Sequence, residues 1–247
     1  MLTSVIWNAK KCADFSLGPF YEIRSQITSF NFGDSVQYIP ASLCYKMDKV
    51  QSISLPATVT SIGESAFQNC SAISSLVLGE NLAAIGDYAF LGCSSLTSIA
   101  LGNNVTTIGN KVFKDCSSLA SVELGNGLTT IGDYTFENCS SLISIAIPEN
   151  VKTIGYYAFQ NCSGLENCTI KNNGLIGESA FANCSKLQKV RLGNQVGNIN
   201  QRAFYNCVLL DSLTLPNSVK TLGDSVFYNC NDLAFVQLSN TLSSIGN

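Results

Sequence analysis

Cys70, Cys93, Cys116, Cys139 and Cys162 fall at intervals of 23 residues; one interval of 22 leads to Cys184, and Cys207 and Cys230 resume the 23. A fixed period of roughly 20–50 residues marks a stacked repeat rather than one globular core. Counted from each cysteine, the phrase runs close to C-x-x-L-x-S-[VI]-x-L-[GP]-x-x-[VL]-x-x-I-G-x-x-A-F-x-N. The phase extends backwards: Met47 takes the cysteine position, and Val50, Ile53, Leu55, Val59, Ile62, Gly63, Ala66 and Phe67 follow in step. One unit earlier, Ile27, Phe30, Phe32, Val36, Ile39, Leu43 and Cys44 hold the apolar positions. Leu2, Val5 and Trp7 fit a first strand, with about two extra residues in the loop CADFSLGPFYEIR. The expectation is one solenoid domain over residues 1–247 of about eleven coils. Within it, 1–46 holds irregular N-terminal coils and 47–247 the regular repeats, the last cut short at Gly246–Asn247.

Each unit carries a segment such as LTSIAL, LASVEL or LISIAI. Apolar residues alternating with small polar ones have the period of a strand with one face buried. Gly or Pro with Asn then reads as a turn, as in LGNN and IPEN. A shorter apolar pair follows, as in VTTIG, whose glycine suits a left-handed or tight corner. Where Asn200 replaces that glycine, asparagine tolerates the same left-handed corner. A turn of helix is expected at the A-F segment, entered at Glu64, Asp87, Asp133, Glu178 or Asp224. The 22-residue interval predicts a kink between Ile170 and Ile176. Such a unit cannot bury its apolar face alone, so copies must stack.

The phrase resembles the BspA-like (treponemal-type) class of leucine-rich repeat, over nearly the whole chain and in eight good copies. That resemblance implies a right-handed leucine-rich repeat solenoid of α/β type. A parallel β-sheet would form one face, with short second strands and short helical or 3-10 turns on the other. It also implies a cell-surface or extracellular protein of anaerobic bacteria, although the start of the chain does not read as a signal peptide. By the same resemblance, the implied role is adhesion to host extracellular-matrix or plasma proteins, or to other microbes.

The cysteine row admits three readings. Metal binding needs ligands converging on one point, whereas these thiols run in a line, one per coil. A disulfide ladder would bring Cα atoms within range but point stacked side chains the same way, leaving Cβ atoms too far apart. The favoured reading is a row of core thiols, with a disulfide next and metal last. Cys168 and Cys44 also fit core positions, Cys12 falls in the irregular loop, and eleven cysteines cannot all pair internally. The phenylalanines at 67, 90, 113, 136, 159, 181, 204 and 227 read as a core spine.

Composition narrows the function. Histidine is absent, which removes Cys–His and Ser–His–Asp nucleophiles and imidazole metal sites. A net charge of −3 argues against nucleic-acid partners, and no apolar run reaches membrane-spanning length. No cofactor motif is present. Glu166 and Asp211 stand two coils apart, too scattered for paired-carboxylate chemistry, so an enzyme is not expected. The N-C-[ST] matches at Asn69, Asn138, Asn161, Asn167 and Asn183 follow from the repeat and carry no assigned role.

Function is left to the outward positions. Ser52, Ser54, Ser74, Ser75, Thr97, Ser98, Ser121 and Ser144 make a smooth hydroxyl ribbon, which reads as solvated strand surface. Later coils differ: Glu166, Asn167 and Thr169, then Gln188, Lys189 and Arg191, then Asp211, then Phe235 and Gln237. Arginine and exposed aromatics are common binding anchors, so these nine residues are the candidate contact set for a protein or glycan partner. Tyr88, Tyr134, Tyr156, Tyr157, Tyr205 and Tyr228 line the opposite face and suit either an interface or the shielding of neighbouring turns. The alternative function is a rigid spacer with no ligand of its own. Open end coils would also favour end-to-end self-association.

Overall fold

The computed structural model describes residues 2–171 and 174–247. Among these residues, short parallel strands form two faces of a β-solenoid of about ten turns, close to the expected eleven coils. Front strands begin with Ser4–Trp7 and Ser29–Phe32 and end with Ser212–Thr214 and Phe235–Gln237. Two-residue back strands run from Tyr38–Ile39 to Ser244–Ile245. Pairing joins equivalent residues one coil apart: Ser144 faces Asn167, which faces Lys189. A slip of one residue would turn every inward Ile, Leu and Val to solvent, so the apolar alternation holds the register. The 22-residue interval breaks neither face, since Ile147 pairs with Ile170 and Ile154 with Ile176. The kink expected beside it falls partly on Asn172 and Asn173, which lie outside the described residues.

Stacking brings like residues together. The rings of the phenylalanine spine from Phe67 to Phe227 lie 5.1–6.1 Å apart with planes within 11° of parallel. That spacing slightly exceeds the strand repeat of about 4.8 Å, so the rings stack with an offset. At the N-terminal end Phe32 meets Phe67 edge-on at 6.1 Å, on the side where residue 44 carries only a thiol. Phe30, Phe20, Trp7 and Phe15 continue that edge-to-face cluster through the loop, whose 3-10 helix spans Tyr21–Gln26.

The cysteines lie beside this spine. All eleven are free, and from Cys70 to Cys207 the repeat thiols are fully buried. Each from Cys93 to Cys230 donates its S–H to the carbonyl of a phenylalanine one coil back, at 3.1–3.4 Å. Burial pushes the thiols up, to about 12 for Cys70 and Cys116, and well above the ordinary range for Cys93, Cys139 and Cys184. Cys168 and Cys44 are buried as well, while Cys12 in the loop is half-buried.

The A-F segment is not helical. Two tight turns stand there instead, as in Gly63 to Ala66 and Phe67 to Cys70, closed by N–H to carbonyl bonds of 3.4 and 3.2 Å. The third residue of each turn is left-handed, Ser65 at φ 55° and Asn69 at φ 59°, as a type II turn requires. The reason is hydrogen-bond accounting. A helix would direct its N–H groups along its own coil, whereas these turns release alternate ones to the next coil. Ser65, Phe67 and Asn69 accordingly donate to the carbonyls of Asp87, Ala89 and Leu91 at 2.9, 2.8 and 2.6 Å. Asp87 and Asp133 cap no helix either; each carboxylate accepts the backbone N–H of the following coil, at Asn110 and Tyr156, both 2.8 Å.

The corner glycine also has a different cause from the one expected. Neither Gly132 nor Asn200, which replaces the glycine in its coil, has a left-handed φ. A Cβ on Gly132 would instead lie 2.5 Å from the Gly109 carbonyl oxygen, so glycine permits close approach of coils.

The second left-handed position of the turns is filled by Lys46 in the coil of Met47 and then by Asn69, Gly92, Asp115, Asn138, Asn161, Asn183, Asn206 and Asn229. From Asn138 onwards each side-chain amide donates to the preceding member, first to Asp115 and then asparagine to asparagine, at 2.6–2.8 Å. The amide nitrogens in the N-C-S matches at Asn138, Asn161 and Asn183 are thus already engaged.

Two outcomes are expected. Asn161→Gly keeps the left-handed backbone but leaves the Asn138 amide oxygen and the Asn183 amide nitrogen without their ladder partners, lowering stability by about 1–3 kcal/mol in urea unfolding. Asn161→Ala should cost about 1 kcal/mol more for the backbone strain; a glycine variant as stable as the parent would show that the ladder contributes nothing. For the thiols, the unfolded chain releases protons near pH 9 while the folded chain keeps them. The unfolded state then binds fewer protons, so stability is intact below about pH 9 and falls above it. Each fully buried thiol removes about 1.4 kcal/mol per pH unit in that window. The urea midpoint should hold between pH 7 and about 8 and drop steeply by about pH 10; equal midpoints at pH 7 and 10 would contradict the buried row.

Candidate interaction surface

On the front face the alternation that buries one residue exposes the next. Ser52, Ser75, Ser98, Ser121 and Ser144 form an exposed hydroxyl column along the earlier coils. Val77 (55% exposed) and Ile143 (52% exposed) interrupt this ribbon. The sequence reading passed over both. Val77 is outward by alternation from the buried Leu76, whereas Ile143 precedes the strand Ser144–Ile147 and shares the parity of the inward Ile145, so alternation alone points it inward.

The last four front strands carry the nine candidate residues. Glu166, Asn167, Gln188, Lys189, Arg191, Asp211, Phe235 and Gln237 are exposed and Thr169 is half-buried. Backbone register brings them into columns. Asn167 faces Lys189, Lys189 faces Ser212, and Ser212 faces Phe235. In the parallel column Thr169 faces Arg191, and Thr214 faces Gln237. Glu166, Gln188 and Asp211 lie along the margin where the strands begin, so the two acids are separated by a glutamine.

Charge is uneven across these columns. The acids occupy the margin, with Asp211 accepting the Ser212 hydroxyl at 2.7 Å. Lys189 and Arg191 stand in the middle of the face, flanking the buried Val190. Among the described residues the ion pair that forms is Lys114 with Glu137, on the turn side; neither Lys189 nor Arg191 has an acidic partner. Phe235 is 58% exposed, a large apolar ring beside these polar groups.

The strand pairing is also uneven. Lys189–Leu192 pairs along its whole length with Asn167–Ile170, but with Ser212–Thr214 only at Lys189 and Ser212. Past that point a hollow of about 360 Å³ lies between the two strands, lined by Arg191, Asn194, Ser212, Thr214 and Pro216. A second hollow of about 250 Å³ on the other side of Arg191 is lined by Asn167, Thr169 and Lys189. Arg191 therefore stands between two depressions. Asn194 and Pro216 were not among the expected contacts, because unequal pairing of two strands leaves no mark on a repeat phrase.

The tyrosines of the opposite side are largely engaged with one another. Tyr134 stacks on Tyr157 at 4.9 Å and Tyr205 on Tyr228 at 5.1 Å. Lys111 sits over Tyr88 and Tyr134, at 5.3 and 5.1 Å from the ring centres. These rings cover adjacent turns, the shielding role.

The family described as the BspA type leucine rich repeat region (6 copies) matches residues 15–117, 84–175 and 167–247. Similar solved structures include a leucine-rich repeat protein from Bacteroides ovatus, 25% identical, covering 99% of this chain and 75% of that one with a TM-score of 0.63. A leucine rich cell surface protein from Faecalibacterium prausnitzii is 20% identical, with coverage of 99% and 83% and a TM-score of 0.60. The leucine rich repeat protein of T. pallidum is 21% identical, with coverage of 93% and 83% and a TM-score of 0.51. No curated protein matches the chain. Among the described residues no helix is long and apolar enough to cross a membrane.

Proposed function

The chain belongs to the BspA-type leucine-rich repeat family, and from that membership we propose that it is a surface or secreted binding module whose partner, a protein or glycan, docks on the front face. Contact centres on Glu166, Asn167, Thr169, Gln188, Lys189, Arg191, Asp211, Phe235 and Gln237. The observation that carries this reading is Arg191, a cation without an acidic partner among the described residues, standing between two hollows on an open sheet. Phe235 lies on the same face and supplies an apolar anchor; arginine and aromatic groups contribute most where a partner removes them from water. The hydroxyl ribbon of the earlier coils adds contact area without strong anchors. A cell-surface location, and adhesion to matrix or plasma proteins or to other microbes, are parts of the same proposal.

The test is surface-immobilised binding to a panel of matrix proteins, plasma proteins and mucin glycans. The parent chain runs beside K189S/R191S/F235S. These residues are exposed, so the variant should keep its circular dichroism and unfold within about 0.5 kcal/mol of the parent per substitution. The parent should capture a panel member that the variant holds at least about tenfold more weakly, or about 1.4 kcal/mol. Equal binding by both chains, or none by either, would count against the front face.

A further inference from the structure

Resting on the reading of the front face as a binding surface, we infer that the hollow beside Arg191 receives an acidic sugar, a pyranose bearing a carboxylate or a sulfate. Three features converge on this chemistry. The first is charge. Lys189 and Arg191 project from one strand at alternate positions with no acidic partner among the described residues. A guanidinium offers two parallel N–H donors to a carboxylate or sulfate. Glu166 and Asp211 lie along one margin and repel an anion there, which confines the acid group to the Lys189 and Arg191 columns.

The second feature is the lining. Ser212, Thr214 and Asn194 border the hollow, and Asn167 and Thr169 border its neighbour. Hydroxyl and amide groups both donate and accept, matching the alternation of donors and acceptors on sugar hydroxyls. The third is Phe235, exposed and in register with Ser212, which is in register with Lys189. Cation, hydroxyl and aromatic ring thus cross three adjacent strands, a span of about 10 Å. A sugar ring over Ser212 can direct its acid group to Arg191 or Lys189 and its C–H face to Phe235.

An acidic peptide suits the surface less well. Extended peptides bind sheets by adding to a free strand edge. Here the strand Lys189–Leu192 is paired throughout with one neighbour and pinned at Lys189 to the other. That leaves a depression for a compact group rather than an edge for a new strand.

The test is an NMR titration of the full chain with 3′-sialyllactose, 3′-sulfolactose and lactose, a method that reads millimolar affinities. Both acidic sugars should bind at least about tenfold more tightly than lactose, and the tighter of the two identifies the acid group. Arg191→Ser should abolish the difference between acidic and neutral sugars, Arg191→Lys should retain part of it, and Phe235→Ser should weaken all three alike. Lactose binding as well as the acidic sugars, or acidic binding that Arg191→Ser leaves unchanged, overturns the assignment. Absence of acidic-sugar binding in a chain whose capture by a panel member depends on the triple variant also overturns it, while leaving the front face as the interaction surface.

Discussion

Equivalent residues of neighbouring coils sit one strand spacing apart, and everything else in the structure adjusts to that register. Inside the coil each residue type must pack against itself. Phenylalanine does so by offset stacking, from Phe67 to Phe227. Asparagine does so through its amide, which donates on one side and accepts on the other, from Asn138 to Asn229. Cysteine does so by avoiding its own kind: from Cys93 to Cys230 each repeat thiol bonds to a phenylalanine carbonyl of the coil before. The same demand explains the missing helices. A coil that kept its N–H groups to itself would have fewer to hold the next coil, so paired turns with left-handed third residues replace helical turns.

Outward positions are exempt from that demand. A serine column meets it easily and leaves the early coils with a plain hydroxyl surface. From Glu166 onwards the columns become mixed, with lysine beside asparagine and serine, and phenylalanine beside serine. This heterogeneity costs the stack little, because such side chains end in water. Specificity for a partner can therefore accumulate on the front face while the core columns remain uniform.

Much of this was legible from the phrase alone. The 23-residue period, the inward Phe, Leu and Ile columns and the buried thiols follow from alternation and spacing. The 25-residue step from Ser4 to Ser29 matches the two extra residues read in the N-terminal loop. The helical turns at A-F were misread because an apolar pair after an acidic residue resembles a short helix entry. The column from Asn69 to Asn229 held the correcting signal: Asn, Asp and Gly are its sole occupants, and these tolerate a left-handed φ. The corner glycines were read as backbone freedom when their cause is the close approach of the preceding coil, a contact between units that no single unit displays. In the candidate surface, exposure of the nine residues could be read from alternation. The shortened pairing between the strands of Arg191 and Thr214 could not, because it arises from the three-dimensional pairing of two coils with the same pattern.

The central claim joins the observed stacking of the inward columns to the proposal that the outward columns of the last four coils meet the partner. Hydroxyl-radical footprinting of the chain, free and with a bound panel member, tests it most directly. Protection should concentrate on Arg191, Phe235 and their neighbours on the front face, with Tyr156 and Tyr228 as reactive in the complex as alone. Protection of those tyrosines with Phe235 unchanged would place the partner on the opposite side and contradict the claim.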